Sequence, residues 1–294
     1  METLEHLAGR LESLEDLRSI VRTMKSLAAV SIRQYEQAVE ALRSYYATVE
    51  TGLQVVLRDS ADAETGPRDH AAATGVIVFG SDHGLCGRFN EELVDYVESR
   101  LPEGAGRADT RWLCIGARPA ALLEAGGREL DDALETAASA TRIGETVERI
   151  LAWLDTWQRE HGVTHVHLFY QLPQSTTRHE PAHRILLPVE RGHFPRYDPR
   201  HWPGPSRPVY TIERRALLAG LLRQYFFVAL FRCCAESLAA EHGSRLAAMQ
   251  AADSHIGEHI DEVTMIYRRA RQEQITTELL DVVSGFEALT GSRT

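Results

Sequence analysis

Two stretches without proline enclose the rest of this chain. The first runs from about Leu4 to Leu57 with Gly9 and Gly52 as its glycines, the second from about Thr211 to Leu289. Proline removes a helical hydrogen bond and clashes with the preceding turn, so its absence over such lengths favours two very long helices. Spacing agrees. In the first stretch Leu14, Leu17, Val21, Met24, Ala28, Ser31, Tyr35, Ala38, Leu42, Tyr45 and Val49 alternate in steps of three and four, with Ser31 alone polar, which is the pattern of a coiled-coil seam. In the second, Leu246, Met249, Ile256, Ile260, Val263, Tyr267 and Ala270 hold the spacing, with an interruption at Asp253. After another at Gln274 and a one-residue slip, Ile275, Leu279, Val282, Phe286 and Leu289 resume it. Gly220, Gly243, Gly257 and Gly285 each cost about 1 kcal/mol against Ala in a helix, and a kink at one of them is an expectation.

Between the two stretches the pattern changes to short apolar runs separated by amphipathic segments. GVIVFG (75–80) and RWLCIG (111–116) read as buried strands, RFNEELVDYVESRL (88–101), ARPAALLEAG and IGETVERILAWLDTWQREHG (143–162) as helices, and VTHVHLFYQ and HRILLPVE as closing strands. Such alternation predicts a Rossmann-like α/β layer domain with a largely parallel sheet. The loop RDSADAETGPRDH precedes it and the proline-rich HFPRYDPRHWPGPSRP (193–208) ends it. The expected organisation is an N-terminal coiled-coil helix (1–60), an α/β foot (70–195) and a C-terminal helix (208–294) pairing with the first. The fold class is therefore an α/β insert plus a long antiparallel α-helical coiled coil. Helices of about 54 and about 79 residues do not match. At 1.5 Å per residue the second outruns the first by roughly 25 residues, or about 37 Å, leaving an apolar set from Ile275 to Leu289 that this chain covers only if the helix folds back.

Composition narrows the partners. A formal charge of -10 and a pI near 5.7 argue against nucleic acid or an anionic lipid surface. The acidic opening METLEHLAGRLESLEDL does not read as a secretory signal, so cytosolic residence is expected. LLAGLL and YFFVALF are broken by Arg223 and Arg232, short of the roughly 20 apolar residues of a membrane span, so no direct insertion is expected. Cys86, Cys114, Cys233 and Cys234 lack C-x-x-C spacing and read as reduced packing residues. On the first helix Arg18, Arg22, Lys25 and Arg33 fall within about 80° of one another, on a strip about a quarter turn from the seam. They form either a solvated face or a contact strip for an acidic partner. Arg268, Arg269 and Arg271 form a second such group.

Three motifs invite an enzymatic reading. His255, Ile256, Gly257, Glu258 and His259 fit the H-x-x-E-H pattern of one zinc-peptidase group. Such sites need a third ligand well downstream, and the 35 residues after His259 are patterned as helix, so a His pair flanking a coiled-coil core is the better account. GSDHGLCGRFN (80–90) follows a strand and precedes a helix, where phosphates bind in α/β folds. Its glycines at 80, 84 and 87 match neither G-x-G-x-x-G nor a Walker loop, and Gly116, Ala117 and Arg118 after the next strand supply no ribose-binding acid. The histidines at 161, 165, 167, 179, 183, 193 and 201 show no ligand spacing. No catalytic, cofactor-binding or metal-binding residue is therefore assigned.

Four segments resemble the gamma subunit of F-type ATP synthases, the rotating central stalk, in that family's order. They are VRTMKSLAAVSIRQYEQA (21–38), GSDHGLCGRFN (80–90), LLRQYFFVALFRCCAESLAAEHGSRLAAMQAAD (221–253) and IDEVTMIYRRARQEQITTELLDVVSG (260–285). The last is the most specific, following Y-N-[KR]-A-R-Q-x-x-I-T-x-E-[LI] through Tyr267, Ala270, Arg271, Gln272, Ile275, Thr276, Glu278 and Leu279. His83 stands where the family usually has Arg, and Ala29, Val30, Ser31, Ile32, Arg33 and Gln34 replace a basic A-S-K-L-R-R stretch, with two positive charges missing. That departure and the acidic start resemble the alternate F-type ATPases that some bacteria carry. The resemblance implies a shaft inside a ring of catalytic and non-catalytic subunits, the F1 ring. Its contacts would be Arg18, Arg22, Met24, Lys25 and Arg33 on the first helix, and Arg268, Arg271, Gln272, Thr276, Val282, Phe286 and Leu289 on the last. It also implies a foot docked on the membrane c-ring and a small epsilon-type subunit, at the cytoplasmic face of a bacterial plasma membrane. The competing reading is an NAD(P)-type α/β enzyme with coiled-coil oligomerisation arms, which leaves the residue match of the last helix unexplained.

Overall fold

The computed structural model describes residues 3–58, 73–101, 110–189 and 209–291, with the side chains of Arg58 and of residues 285–291 outside the description. The loop at 58–70 and the proline-rich stretch at 193–208 fall almost entirely on residues that are not described, as do His193 and His201. The two terminal stretches form α1 (Leu4–Arg58) and α5 (Arg214–Gly291), of 55 and 78 residues. Neither is interrupted, so none of Gly220, Gly243, Gly257 and Gly285 breaks α5. At Gly243 the reason for glycine is space: a Cβ would meet the carbonyl oxygen of Thr176 at 2.6 Å, in backbone that cannot step aside. Gly243→Ala is therefore expected to cost stability well beyond the about 1 kcal/mol that propensity would return, measured as a lowered denaturation midpoint. An unchanged or raised midpoint would contradict that packing.

The insert contains β1 (Thr74–Phe79), α2 (Phe89–Arg100), β2 (Thr110–Ile115), α3 (Ala117–Ala125), β3 (Asp132–Leu134), α4 (Ile143–His161), β4 (His165–Pro173) and β5 (His179–Leu187). The strands form one sheet in the order β3-β2-β1-β4-β5. β1 pairs in parallel with β2 and β4, β2 in parallel with β3, and β4 and β5 form an antiparallel hairpin. The sequence reading omits β3, whose three residues are too few to show a period. The runs GVIVF and WLCI are continuous rather than alternating because both sheet faces are covered. On one face Ile77, Phe79, Leu113, Ile115 and Leu168 pack with Val147, Ile150, Leu154 and Trp157 of α4 and with Ala229, Leu230, Cys233 and Cys234 of α5. On the other, Val76, Val78, Trp112, Cys114 and Phe169 meet Leu93 and Val97 of α2 and Ala120 and Leu123 of α3.

That packing bears on the membrane question. By length and composition, an 18-residue window within Arg214–Ser284 does pass as a membrane span, contrary to the reading that Arg223 and Arg232 break the run. A third of the window is buried. Val228, Ala229, Leu230, Cys233 and Cys234 lie in the protein core. All four cysteines are free and buried, and burial pushes the thiols of Cys233 and Cys234 up to about 12.

The chain divides into two compact units, one of Met1–Leu27 with Ala247–Thr294 and one of Ala28–Leu246, so that each long helix contributes to both. In the first unit α1 and α5 pair through Leu14, Val21, Met24, Met249, Ala252, Ile256 and Ile260. Burial along α1 corrects the predicted seam in part: Leu14, Met24, Ser31, Ala38 and Leu42 are half-buried as expected. Leu7, Val21, Ala28, Tyr35 and Val49 are buried, but the companion stripe lies four residues on, at Leu11, Arg18, Lys25, Ile32, Val39, Tyr46 and Leu53. Leu17 and Tyr45, both placed in the seam from sequence, are exposed at 51% and 42%.

Candidate partner-contact surfaces

The basic strip of α1 is engaged within the chain. Arg18 Nε and Arg22 Nε donate to Asp253 Oδ1 at 3.0 and 3.3 Å, and Lys25 Nζ donates to Oδ2 at 3.1 Å. The strip is thus not a quarter turn from the helix contact, as the sequence suggests. Arg18 and Lys25 occupy seam positions, and Asp253, an interruption by hydropathy, is what they meet. Three cations on one carboxylate leave an excess of positive charge there, and the Arg22 side chain remains 57% exposed. Arg33 is exposed, and Met24 is partly buried in the helix contact.

Hydrogen bonds from Arg18 and Lys25, with the nearby charges of Lys25 and Arg22, hold the Asp253 carboxyl down at about 2 against an ordinary 3.8. A depressed carboxylate stabilises the fold fully above its unfolded value and loses that contribution as pH falls through the folded one. Helix pairing in this unit is therefore expected to weaken between about pH 4 and pH 2, and Asp253→Asn to remove that part of an acid titration followed by circular dichroism. An unaltered titration in the variant would contradict the assignment.

Farther along α5 the chain supplies no cover. Val263 is buried and Tyr267 and Ala270 are half-buried, whereas every residue from Arg271 to Ser284 is exposed. Among them are Ile275, Leu279, Leu280, Val282 and Val283, with Val282 at 71%. Arg268, Arg271 and Gln272 present their side chains to solvent, Arg269 pairs with Glu273 at 3.1 Å, and Thr276 Oγ1 donates to the carbonyl of Gln272. The backbones of Phe286 and Leu289 belong to α5, but their side chains lie outside the described residues. The segment 271–284 continues the helix and does not turn back. His255 and His259 are exposed rather than core-flanking, each beside its own glutamate at i+3, Glu258 and Glu262, at 3.5 Å.

The GSDHGLCGRFN segment is consumed by structure. Ser81 N–H donates to Asn90 Oδ1 at 3.1 Å, and Asn90 Nδ2 donates to Ser81 Oγ at 2.9 Å, closing the turn between β1 and α2. Leu85 and Gly87 take positive φ, 63° and 60°, which makes Gly87 the less strained of the two. Asp82 accepts from Ala117 N–H at 2.9 Å, from Thr136 N–H at 2.8 Å and from Thr136 Oγ1 at 2.7 Å, tying together the loops that follow β1, β2 and β3. Over this edge lies α5. Ser244 Oγ donates to Cys86 O at 2.6 Å, Ser237 Oγ to Phe79 O at 2.8 Å, and Arg245 Nη2 to Gly84 O at 3.3 Å. In open α/β sheets the crevice at the reversal of strand order, here between β1 and β4, is the usual ligand site. This chain lays its own helix there. Sequence reasoning missed Ser237, Glu241, Ser244 and Arg245, although their spacing of four, seven and eight residues, polar within an apolar helix, is a visible signal.

Two histidines of the insert face each other. His167 Nδ1 lies 2.8 Å from His183 Nε2 across β4 and β5. Burial, then the neighbouring His183 and His165, hold His167 down at about 4, and burial with the Arg245 charge does the same to His242, which stacks on Tyr35. The unfolded chain takes up these protons first, near 6.5, so stability of the insert is expected to fall as pH drops from about 6.5 to about 4. Replacing His167 by Gln should flatten part of that slope in urea titrations across the range, and an identical slope would count against it.

Two long helices, an α/β insert whose β1 edge is bonded by α5, and an exposed apolar run on α5 are the features that any relative must share. Comparison with known proteins gives the family. A family model described as ATP synthase matches residues 3–289. The ATP synthase gamma chain of Moorella thermoacetica is 32% identical over 306 residues, spanning 98% of this chain and 100% of that one. The gamma chain of an Anaeromyxobacter species is 31% identical over 297 residues, spanning 98% and 100%. A chain of the Euglena gracilis mitochondrial ATP synthase superposes with a TM-score of 0.66 at 15% identity, covering 99% of this chain and 96% of that one. One from the central stalk and c-ring structure of the Tetrahymena thermophila enzyme gives 0.58 at 18%, covering 79% and 99%. At those identities the structural likeness speaks for the fold alone. The chain belongs to the ATP synthase gamma-chain family. The reading as an NAD(P)-type enzyme has no support.

Proposed function

We propose that this chain is the central rotor stalk of an F-type ATP synthase, coupling ion translocation through the membrane sector to ATP synthesis or hydrolysis in the catalytic ring by rotation. The observation that carries the mechanical part is the run of exposed residues on α5 from Arg271 to Ser284, apolar at five positions and left uncovered by every described residue of the chain. Burying each such side chain is worth about 1.5–3 kcal/mol, which suits enclosure by a sleeve of surrounding subunits. The catalytic and non-catalytic subunits of the F1 ring form that sleeve around Val282, Phe286 and Leu289. Acidic segments of the catalytic subunits meet Arg268, Arg271, Gln272 and Thr276, and the cations Arg18, Arg22, Lys25 and Arg33 near Met24. Since Asp253 already holds three of these cations, their pairing with a partner adjusts register more than it adds affinity.

In this reading the chain makes and breaks no bond itself. The α/β foot (70–195) docks the membrane c-ring and a small epsilon-type subunit, and the terminal segments 1–60 and 208–294 serve as the shaft. The complex is peripheral at the cytoplasmic face of a bacterial plasma membrane, and the chain reaches the bilayer only through its partners. Affinity purification from the native host through a tag on this chain tests the reading: catalytic-ring chains are expected in the eluate, and a homo-oligomer without them would overturn it.

A further inference from the structure

The contact of α5 with the sheet edge is of an unusual kind. Ser237, Glu241, Ser244 and Arg245 share one face of the helix and are all buried, at 9% exposure or less. Ser237 donates to Phe79 O, Ser244 to Cys86 O, and Arg245 to Gly84 O, while Arg245 Nη2 also pairs with Glu241 Oε1 at 2.6 Å. A purely apolar contact would tolerate rotation or sliding, because hydrophobic burial has no direction. This one does not. A slip by one residue strands two buried hydroxyl donors and leaves a buried Arg–Glu pair misaligned, both strongly unfavourable away from water. The glycine at 243 adds a steric stop, since Thr176 O lies only 2.6 Å from where a Cβ would be.

We propose that this buried polar face is the torque-carrying joint of the rotor, fixing the register of α5 against the sheet so that twist passes between them without slip. The inference rests on the rotor reading above. Ser237, Glu241, Ser244 and Arg245 act as positioning residues, and the loop carbonyls of residues 79–86 are their counterpart. A joint of this kind differs from mere stabilisation in one respect: it sets how much ion transport accompanies each ATP hydrolysed.

The test uses the complete complex reconstituted in vesicles, with Glu241→Gln/Arg245→Met and, separately, Ser244→Ala. Neutral groups of similar volume often replace a buried ion pair with little loss of stability, so the double variant is expected to assemble. ATP hydrolysis should stay within about twofold of the unmodified complex while ATP-driven ion pumping falls about fivefold or more, with Ser244→Ala shifting the same ratio less. Arg245→Lys, which keeps the charge and a donor, should recover part of the pumping. Variants that hydrolyse and pump in the unmodified ratio would overturn the joint. Should the double variant not assemble, the ratio in Ser244→Ala decides. An unmodified complex that does not pump at all would instead tell against the rotor reading.

Discussion

Ending the chain after Ala270 is expected to leave its own fold intact and to cripple the assembly it serves. The residues removed make no packed contact as far as Ser284, and changes at such exposed positions generally stay within about 0.5 kcal/mol, so the denaturation midpoint of the isolated chain should not move measurably. The same residues include Ile275, Leu279, Leu280, Val282 and Val283, whose enclosure by partners is worth several kcal/mol in the proposed assembly. Loss of even 1.4 kcal/mol is tenfold in binding, so ATP-driven pumping by membranes carrying the truncated chain should fall at least about tenfold. A truncated chain that unfolds would show that the tail packs on the rest of the molecule. One that supports full pumping would show that the exposed apolar run is not a working contact.

Glu241→Ala should have the largest effect on stability of any single substitution considered. It leaves Arg245, whose side chain is 10% exposed, as a buried charge without its carboxylate. Removing one member of a buried pair typically costs about 3–5 kcal/mol, much of it the penalty on the partner left behind. Burial already pushes the Glu241 carboxyl upward against the opposing pull of Arg245, and its Oε2 has no hydrogen-bond partner among the described residues, so the pair is held at some cost. Removing both charges together, as in Glu241→Gln/Arg245→Met, should therefore be far less damaging than removing one. Urea denaturation of the isolated chains measures both. Equal destabilisation by the single and double changes would mean that shape, not charge, dominates this site.

How much of this could be read from the residues depended on whether packing followed hydropathy. The strands β1 and β2 were plain as continuous apolar runs, and α4 as a strongly periodic segment between Ile143 and the left-handed Gly162. The stripe Val21, Ala28, Tyr35 and Val49 was also plain. Its companion is legible only in part: Met24 lies in the helix contact, but Leu17 and Tyr45 do not, and Arg18 and Lys25 sit where apolar residues are sought, explained by Asp253 some 230 positions away in sequence. Leu17 scored as seam for the same reason, though it faces solvent. β3 is too short to carry a signal, and the polar face of α5 is legible only once its acceptors, the carbonyls of Phe79, Gly84 and Cys86, are placed beside it. Chemistry written in side-chain type was therefore found early, whereas chemistry supplied by backbone was not. The glycine spacing of GSDHGLCGRFN correctly argued against a phosphate loop, but gave no hint that α5 occupies the crevice.

The apolar tail is the centre of the account, and site-specific thiol labelling tests it most directly. The native cysteines are all buried, so a single Cys placed at an exposed position reports on that position alone. With Leu279→Cys or Val282→Cys, a bulky maleimide should react readily with the isolated chain and at least about tenfold more slowly with the purified complex, which on this account encloses the segment. Equal labelling in the two states would mean that nothing houses the tail.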